Sequence, residues 1–206
     1  GDAPPAVRDG DSDVLDAEVA GEIETNVREE ESMKPRNPVQ PLIRRHVEHV
    51  AEMERLLFDD PLTAEELTTI CGQPSALSYS WTITEYHFPA AYMLLYCCPQ
   101  SLSLTRIGTH PDFQRRGYAT DLIGQAIKLA EGQKREYIDA VVSESMLPAQ
   151  LLLRSCGFRC TKTARGKGHL RADGEHEALL WFAYDVWHPY RHVPGIRERM
   201  QAGLAI

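Results

Sequence analysis

The run from Leu104 to Ala119 constrains this chain more than any other. Leu104-Thr105-Arg106-Ile107-Gly108-Thr109 reads as a β-strand, and His110-Pro111-Asp112-Phe113-Gln114-Arg115-Arg116-Gly117 reads as a short turn. A helix opens at the end of that turn. Ala119, Leu122, Ile123, Ala126, Ile127 and Ala130 recur at three- and four-residue steps, and Gly132 is a plausible stop. The N–H groups from Arg115 to Ala119 lie at the start of this helix, where backbone donors lack intrahelical partners and the macrodipole is positive. Such donors form a cradle for a phosphate or pyrophosphate, and Gly117 and the small Ala119 let backbone come close to a ligand. A strand–turn–helix unit without a ligand has the same periodicity, but it does not need two arginines packed beside a glycine.

A second unit follows. Tyr137 to Ser143 is a strand pattern, and Leu147 to Cys156 is a helix pattern, with Pro148 in its first turn and Gly157 past its end.

These two units resemble the GNAT superfamily of acyl-CoA-dependent N-acyltransferases. Its signature, Gln/Arg-x-x-Gly-x-Gly/Ala, is matched by Gln114-Arg115-Arg116-Gly117-Tyr118-Ala119 after His110-Pro111. Ala149, Leu152, Gly157 and Phe158 match the family's second half. The resemblance spans residues 39–186. It implies an α/β (α+β) fold, with a mixed, mostly antiparallel sheet of about seven strands flanked by helices and splayed between strands four and five. It also implies acetyl-CoA as acyl donor and no metal. Ile107, Gly108 and Thr109 would line the pantetheine, with the Ile107 N–H as oxyanion donor. Gln114, Arg115, Arg116, Gly117, Tyr118, Ala119 and Thr120 would hold the pyrophosphate. Within the superfamily the chain looks most like the bacterial ribosomal-protein alanine acetyltransferases, on Asp173-Gly174-Glu175-His176-Glu177-Ala178. The tyrosines of that family's final hairpin loop are replaced around Gly168-His169-Leu170.

The departures concern protons. Met146 stands at a usual Asn and Leu153 at the Tyr that protonates the leaving thiolate in many members. Val141 and Ser103 occupy the two positions where relatives carry a catalytic Glu. Replacement bases are Tyr92, Tyr96, His110, Ser143 and, foremost, Glu144 at the end of the fifth strand. Positioning and oxyanion donors still accelerate acyl transfer without any of these side chains. A lysine amine, with a pKa of about 10.4, costs about 4 kcal/mol to deprotonate near neutral pH, whereas an α-amine at about 7.7–8.0 is partly neutral already. The reading is an acetyl-CoA-dependent N-acetyltransferase acting on a primary amine, favouring a protein or peptide. Alternatives are a small-amine or amino-acid acetyltransferase and a CoA-binding module without catalysis.

The net charge of −8 is concentrated in residues 1–37, which hold eleven acidic against four basic residues. Three regions follow: an acidic extension at 1–37, an acetyltransferase-like domain at 38–187, and a C-terminal extension with a short helix at 188–206. The last either caps the sheet or builds a homodimer interface. Within the domain, Pro41 to Arg45 reads as a strand and His46 to Phe58 as a helix, with Val47, Val50, Ala51 and Leu57 inward. Thr63-Ala64-Glu65-Glu66 is a capping box opening a helix over 64–71. Leu77 to Glu85 and Ala90 to Cys98 pair as a hairpin, and Arg159 to Ala164 and Glu177 to Val186 form the last one. Cys71, Cys97, Cys98, Cys156 and Cys160 show no disulfide or zinc spacing and read as buried thiols in a reduced cytoplasm. His188 and His192 are four apart, but Pro189 and Pro194 disfavour a metal-binding helix there. No apolar run approaches the roughly 18 residues of a membrane span, and neither a membrane nor a nucleic acid is expected as partner.

Overall fold

The computed structural model describes residues 37–72, 78–168 and 174–186. Residues 1–36 of the acidic extension, residues 73–77 with the expected strand start Leu77, residues 169–173 with His169, and the segment from 187 with His188 and His192 lie outside the described residues.

Seven strands form one sheet: β1 (Gln40–Pro41), β2 (Ser78–Glu85), β3 (Phe88–Cys97), β4 (Ser101–Thr109), β5 (Tyr137–Ser143), β6 (Arg159–Ala164) and β7 (Leu179–Asp185). Their order is β1-β2-β3-β4-β5-β7-β6. Every neighbouring pair is antiparallel except β4 and β5, which are parallel because α3 (Tyr118–Gly132) crosses between them. Among the described residues the other α-helices are α1 (Val47–Leu57), α2 (Ala64–Gly72) and α4 (Leu147–Ser155). Among the described residues no helix is long and apolar enough to cross a membrane.

Strand alternation divides the apolar side chains between the two faces. On one face Leu95, Leu102, Ile138, Ala140 and Phe182 pack with Leu122, Ile123 and Ala126 of α3 and Leu153 of α4. On the other, Tyr92 and Leu94 pack with Val47, Val50, Ala51 and Met53 of α1 and with Leu67 of α2. The capping box forms as expected: Thr63 N–H donates to Glu66 Oε2 at 2.8 Å and Glu66 N–H donates to Thr63 Oγ1 at 3.2 Å.

Several sequence expectations are corrected. The first strand ends at Pro41, and Arg44–His46 turns instead into a 3₁₀ helix. There the His46 ring is buried, and Nδ1 accepts the Ile43 N–H at 3.2 Å, a local bond that competes with strand pairing. Leu57 is only half-buried, whereas Met53 and Glu54 are fully buried on α1. The five thiols are free, yet only Cys97 is buried; Cys160 is exposed because it lies on the edge strand β6. The last strand begins at Leu179 rather than Glu177.

Gly108 shows how closely the α1 face is packed. A Cβ on it would lie 2.6 Å from Tyr92 Cε1 and 2.9 Å from Leu57 Cδ1. Gly108→Ala should therefore lower stability by about 1–3 kcal/mol through overpacking, measured by denaturant unfolding.

Candidate active site

The parallel ladder runs from Ser101 opposite Tyr137 to Leu104 opposite Ala140 and then stops. One residue later β4 bulges: Leu95 faces Leu104 and Leu94 faces Arg106, so Thr105 is the extra residue. A bulge bends its strand and increases the twist. Here it carries β4 away from β5 and opens a gap from residue 105 onward. Thr105 Oγ1 donates to Leu94 C=O at 3.1 Å and helps hold the distortion.

The bulge also decides which backbone groups face the gap. His110 N–H donates to Ala90 C=O at 2.9 Å, one step beyond the Ala91–Thr109 pair. Alternation along an antiparallel ladder then turns Arg106 and Gly108 toward β3, and Ile107 and Thr109 away from it. Gln114 Nε2 donates to Thr109 C=O at 3.3 Å, in keeping with that orientation. The Ile107 N–H thus points into the gap beside β5.

Beyond β4, Pro111–Phe113 makes a 3₁₀ turn, and Arg115 and Gly117 adopt left-handed φ of 65° and 85°. Asp121 N–H is bonded back to Gly117 C=O at 3.0 Å. The N–H groups of Tyr118, Ala119 and Thr120 precede that first helical bond and lack intrahelical acceptors. The side chains here have separate duties. The Tyr118 ring is buried and its hydroxyl donates to the Glu85 carboxylate, which ties the first turn of α3 to the end of β2. Burial, then that bond, raises the Tyr118 pKa above its ordinary value. Arg116 lies 5.1 Å from the Phe113 ring centre, and Gln114, Arg115 and Arg116 are exposed.

Behind β4, on the α1 face, lies a buried polar cluster that the sequence reading missed. Glu54 is 0% exposed. Its carboxylate accepts the Tyr92 hydroxyl, accepts Leu62 N–H at 3.0 Å and lies 3.5 Å from Arg106 Nε. Arg106 also donates to Asp60 C=O and stacks 4.5 Å over Phe58. One carboxylate therefore joins α1, the α1–α2 loop, β3 and β4. The signal was available: Glu54 is four residues after Val50 and three after Ala51, on the apolar stripe of its helix.

The proposed acid and base positions are now located. Tyr92 is no free base: burial, with Glu54 next to it, pushes its pKa far above the ordinary tyrosine value. His110 Nδ1 accepts Asp112 N–H at 3.3 Å in the turn past β4. Glu144 is exposed just beyond β5, with its N–H bonded to Ala178 C=O at 2.9 Å and its C=O accepting from Gln150 at 2.8 Å. Leu153 is 2% exposed in the larger core, so a tyrosine there meets a filled space. Tyr96 is exposed on β3 opposite Ser103. Ser103 Oγ in turn donates to Asp139 Oδ2 at 2.8 Å. Asp139 was not considered from the sequence, although it is the polar residue between the inward Ile138 and Ala140. Among the described residues no cluster of metal-binding side chains is found. A cavity of about 280 Å³ lies between α1, the β2–β3 turn and His110–Phe113.

Residues 47–158, more than half of the chain, match the family model "Acetyltransferase (GNAT) family". The chain belongs to the GNAT family. It is an acetyl-CoA-dependent N-acyltransferase. Its fold is similar to that of the ribosomal-protein-S18-alanine N-acetyltransferase from Escherichia coli. That match has TM-score 0.64 and 19% identity over 73% of this chain and 94% of that one. Arabidopsis thaliana NAA60 in complex with a bisubstrate analogue gives TM-score 0.63 and 16% identity, covering 72% and 97%. An N-acetyltransferase from Staphylococcus aureus Mu50 gives 0.64 and 11%, covering 74% and 99%. No curated protein matches the sequence.

Tyr92→Phe should cost about 1–3 kcal/mol, because it removes a donor from a buried carboxylate without relieving the burial. Denaturant midpoints of the two proteins check this.

Proposed function

We propose that this acetyltransferase transfers the acetyl group of acetyl-CoA to a primary amine at the end of a protein or peptide chain. In this reading the donor lies in the gap between β4 and β5. Its pyrophosphate rests on Gln114 to Thr120 and its pantetheine along Ile107, Gly108 and Thr109. The Ile107 N–H then donates to the oxyanion of the tetrahedral intermediate, a contact strengthened as charge develops. The loop is continuous with α3, so the donor enters from the α3 face and the amine arrives from the α1 face.

The observation that carries the acceptor class is the openness of that second face. Among the described residues on this face, Tyr96 of β3, opposite Ser103, is 48% exposed, and Val141 of β5, just past the last β4–β5 pair, is 46% exposed. Further out, Trp181 on β7 meets Lys162 of β6 at 5.2 Å. An open floor that carries Tyr96, Val141 and Trp181 suits an extended chain better than an enclosed site for a small amine. The similarity to an enzyme named for acetylating a ribosomal-protein alanine points the same way. So does the proton argument, since an α-amine needs less help to become nucleophilic than a lysine.

CoA release on a panel of peptides and small amines is the test. Peptides with a free α-amine should turn over fastest, with kcat/KM rising through the amine pKa. Faster turnover of free amino acids or small amines would replace this acceptor assignment. The donor site has its own measurement. The Cβ position of Gly117 is open, but its φ of 85° disfavours any branched side chain. Gly117→Val should weaken acetyl-CoA binding more than tenfold by calorimetry, in a protein that still folds. Two carboxylates, Glu144 and Asp139, compete as proton acceptor, and Glu144→Gln tests the first.

A further inference from the structure

We infer that Asp139, held by Ser103, is the general base of acetyl transfer and takes the acceptor's proton through one or two waters. This rests on the acyl-transfer reading of the gap and extends it to the proton.

The argument begins with the register. Ser103 faces Asp139 one step before the last β4–β5 pair, so the two side chains sit at the apex of the splay. Tyr96 is opposite Ser103 and Ala183 is opposite Asp139, which places all four in one row across the sheet. That row lies on the α1 face. Ile138 and Ala140, the neighbours of Asp139 on β5, belong to the opposite core, as do Leu102 and Leu104 beside Ser103. The donor loop opens on the α3 face, and the row therefore lines the side from which the amine arrives. Along β5 the next residues on this face are Val141 and Ser143, neither with a carboxylate. Side chains on one face of a strand repeat about every 6.6–6.8 Å. The Asp139 carboxylate thus sits roughly one such repeat behind Val141, a distance that one or two waters span.

Ser103 Oγ occupies Asp139 Oδ2 at 2.8 Å, and the half-buried carboxylate has a second oxygen for water. Glu144, by comparison, is exposed beyond the strand end. Among the described residues, the charged and titratable groups on the same face are Tyr96 of β3, Arg106 of β4, Tyr137 of β5, Asp185 of β7, and Arg159 and Lys162 of β6, with Glu54 from α1.

The step balances. The ammonium gives one proton through water to the Asp139 carboxylate. The freed nitrogen lone pair attacks the thioester carbonyl, forming C–N and moving the π pair to oxygen. Collapse breaks C–S and expels the CoA thiolate, which takes the second nitrogen proton by way of solvent. The third proton stays on the amide, and Asp139 returns its own to water.

The full chain is assayed with a free-α-amine peptide between about pH 6 and 9, a window bracketing the amine pKa of about 7.7–8.0. Acceptor-free hydrolysis of acetyl-CoA is followed in parallel. Asp139→Asn should lower kcat by about 10²-fold at the acid end, within the range of a lost general base, and by progressively less toward pH 9 as the amine arrives neutral. The KM for acetyl-CoA should be unchanged, and Asp139→Glu should restore most of the rate. Ser103→Ala should show the same pH-dependent loss in smaller size, and keeps the test alive if Asp139→Asn fails to fold. A loss by the same factor at every pH marks a structural role and overturns the assignment. So does an acid-end loss in Glu144→Gln with none in Asp139→Asn. A wild-type protein that binds acetyl-CoA but neither transfers nor hydrolyses it overturns the acyl-transfer reading, and the base with it. Turnover with an unchanged Asp139→Asn profile overturns the base alone.

Discussion

The single extra residue at Thr105 is what the rest of the site depends on. Before it, β4 is an interior strand paired on both sides; after it, only β3 remains as partner. An interior strand that loses one ladder leaves a row of backbone N–H and C=O groups unpaired, which is costly unless water or a ligand satisfies them. In the proposed reading the bulge turns that deficit into a binding feature. It shifts the alternation by one residue, so that Ile107 and Thr109, rather than Arg106 and Gly108, present their backbone to the gap.

A strand deprived of one ladder needs support from behind. That support is the Glu54 cluster, in which one buried carboxylate receives Tyr92 from β3, Leu62 from the α1–α2 loop and Arg106 from β4 itself. Removing one member of such a cluster leaves the others buried and unpaired, so its parts stand or fall together. Gly108 completes the arrangement, since only a glycine admits the Tyr92 ring and Leu57 so close to the β4 backbone. Glycine and glutamate, residues often linked with turns and surfaces, here hold β4 from behind.

Proton handling follows a different logic from positioning. Leu153 packs in the core and Val141 is an aliphatic side chain, so neither moves a proton. In the proposed reaction a backbone N–H serves as oxyanion donor, and the acceptor's own acidity carries more of the burden. An amine with a low pKa and an open approach across Tyr96 and Val141 are compatible with that division.

Much of this was legible in the chain. The three- and four-residue spacing from Ala119 to Ala130, the Thr63–Glu66 capping box and the Arg115–Gly117 turn are local, and local sterics and hydrogen bonding decide them. These local patterns gave the order of elements, and the resemblance to the GNAT superfamily implied the splayed β4–β5 pair. Element ends were less legible: Arg44 and Arg45 left the expected first strand when His46 turned back to bond Ile43 N–H. The roles of Glu54, Tyr92 and Asp139 were not legible either. Each depends on a partner 36 or 38 residues away. The sequence by itself determined the family, the arginine–glycine turn that opens α3 and the lack of the usual proton-transfer side chains, since these are matters of residue type at short spacing. Only the tertiary structure decided which carboxylate is buried as a brace and which sits at the apex of the splay, because burial and charge pairing arise from strands and helices that meet far apart along the chain.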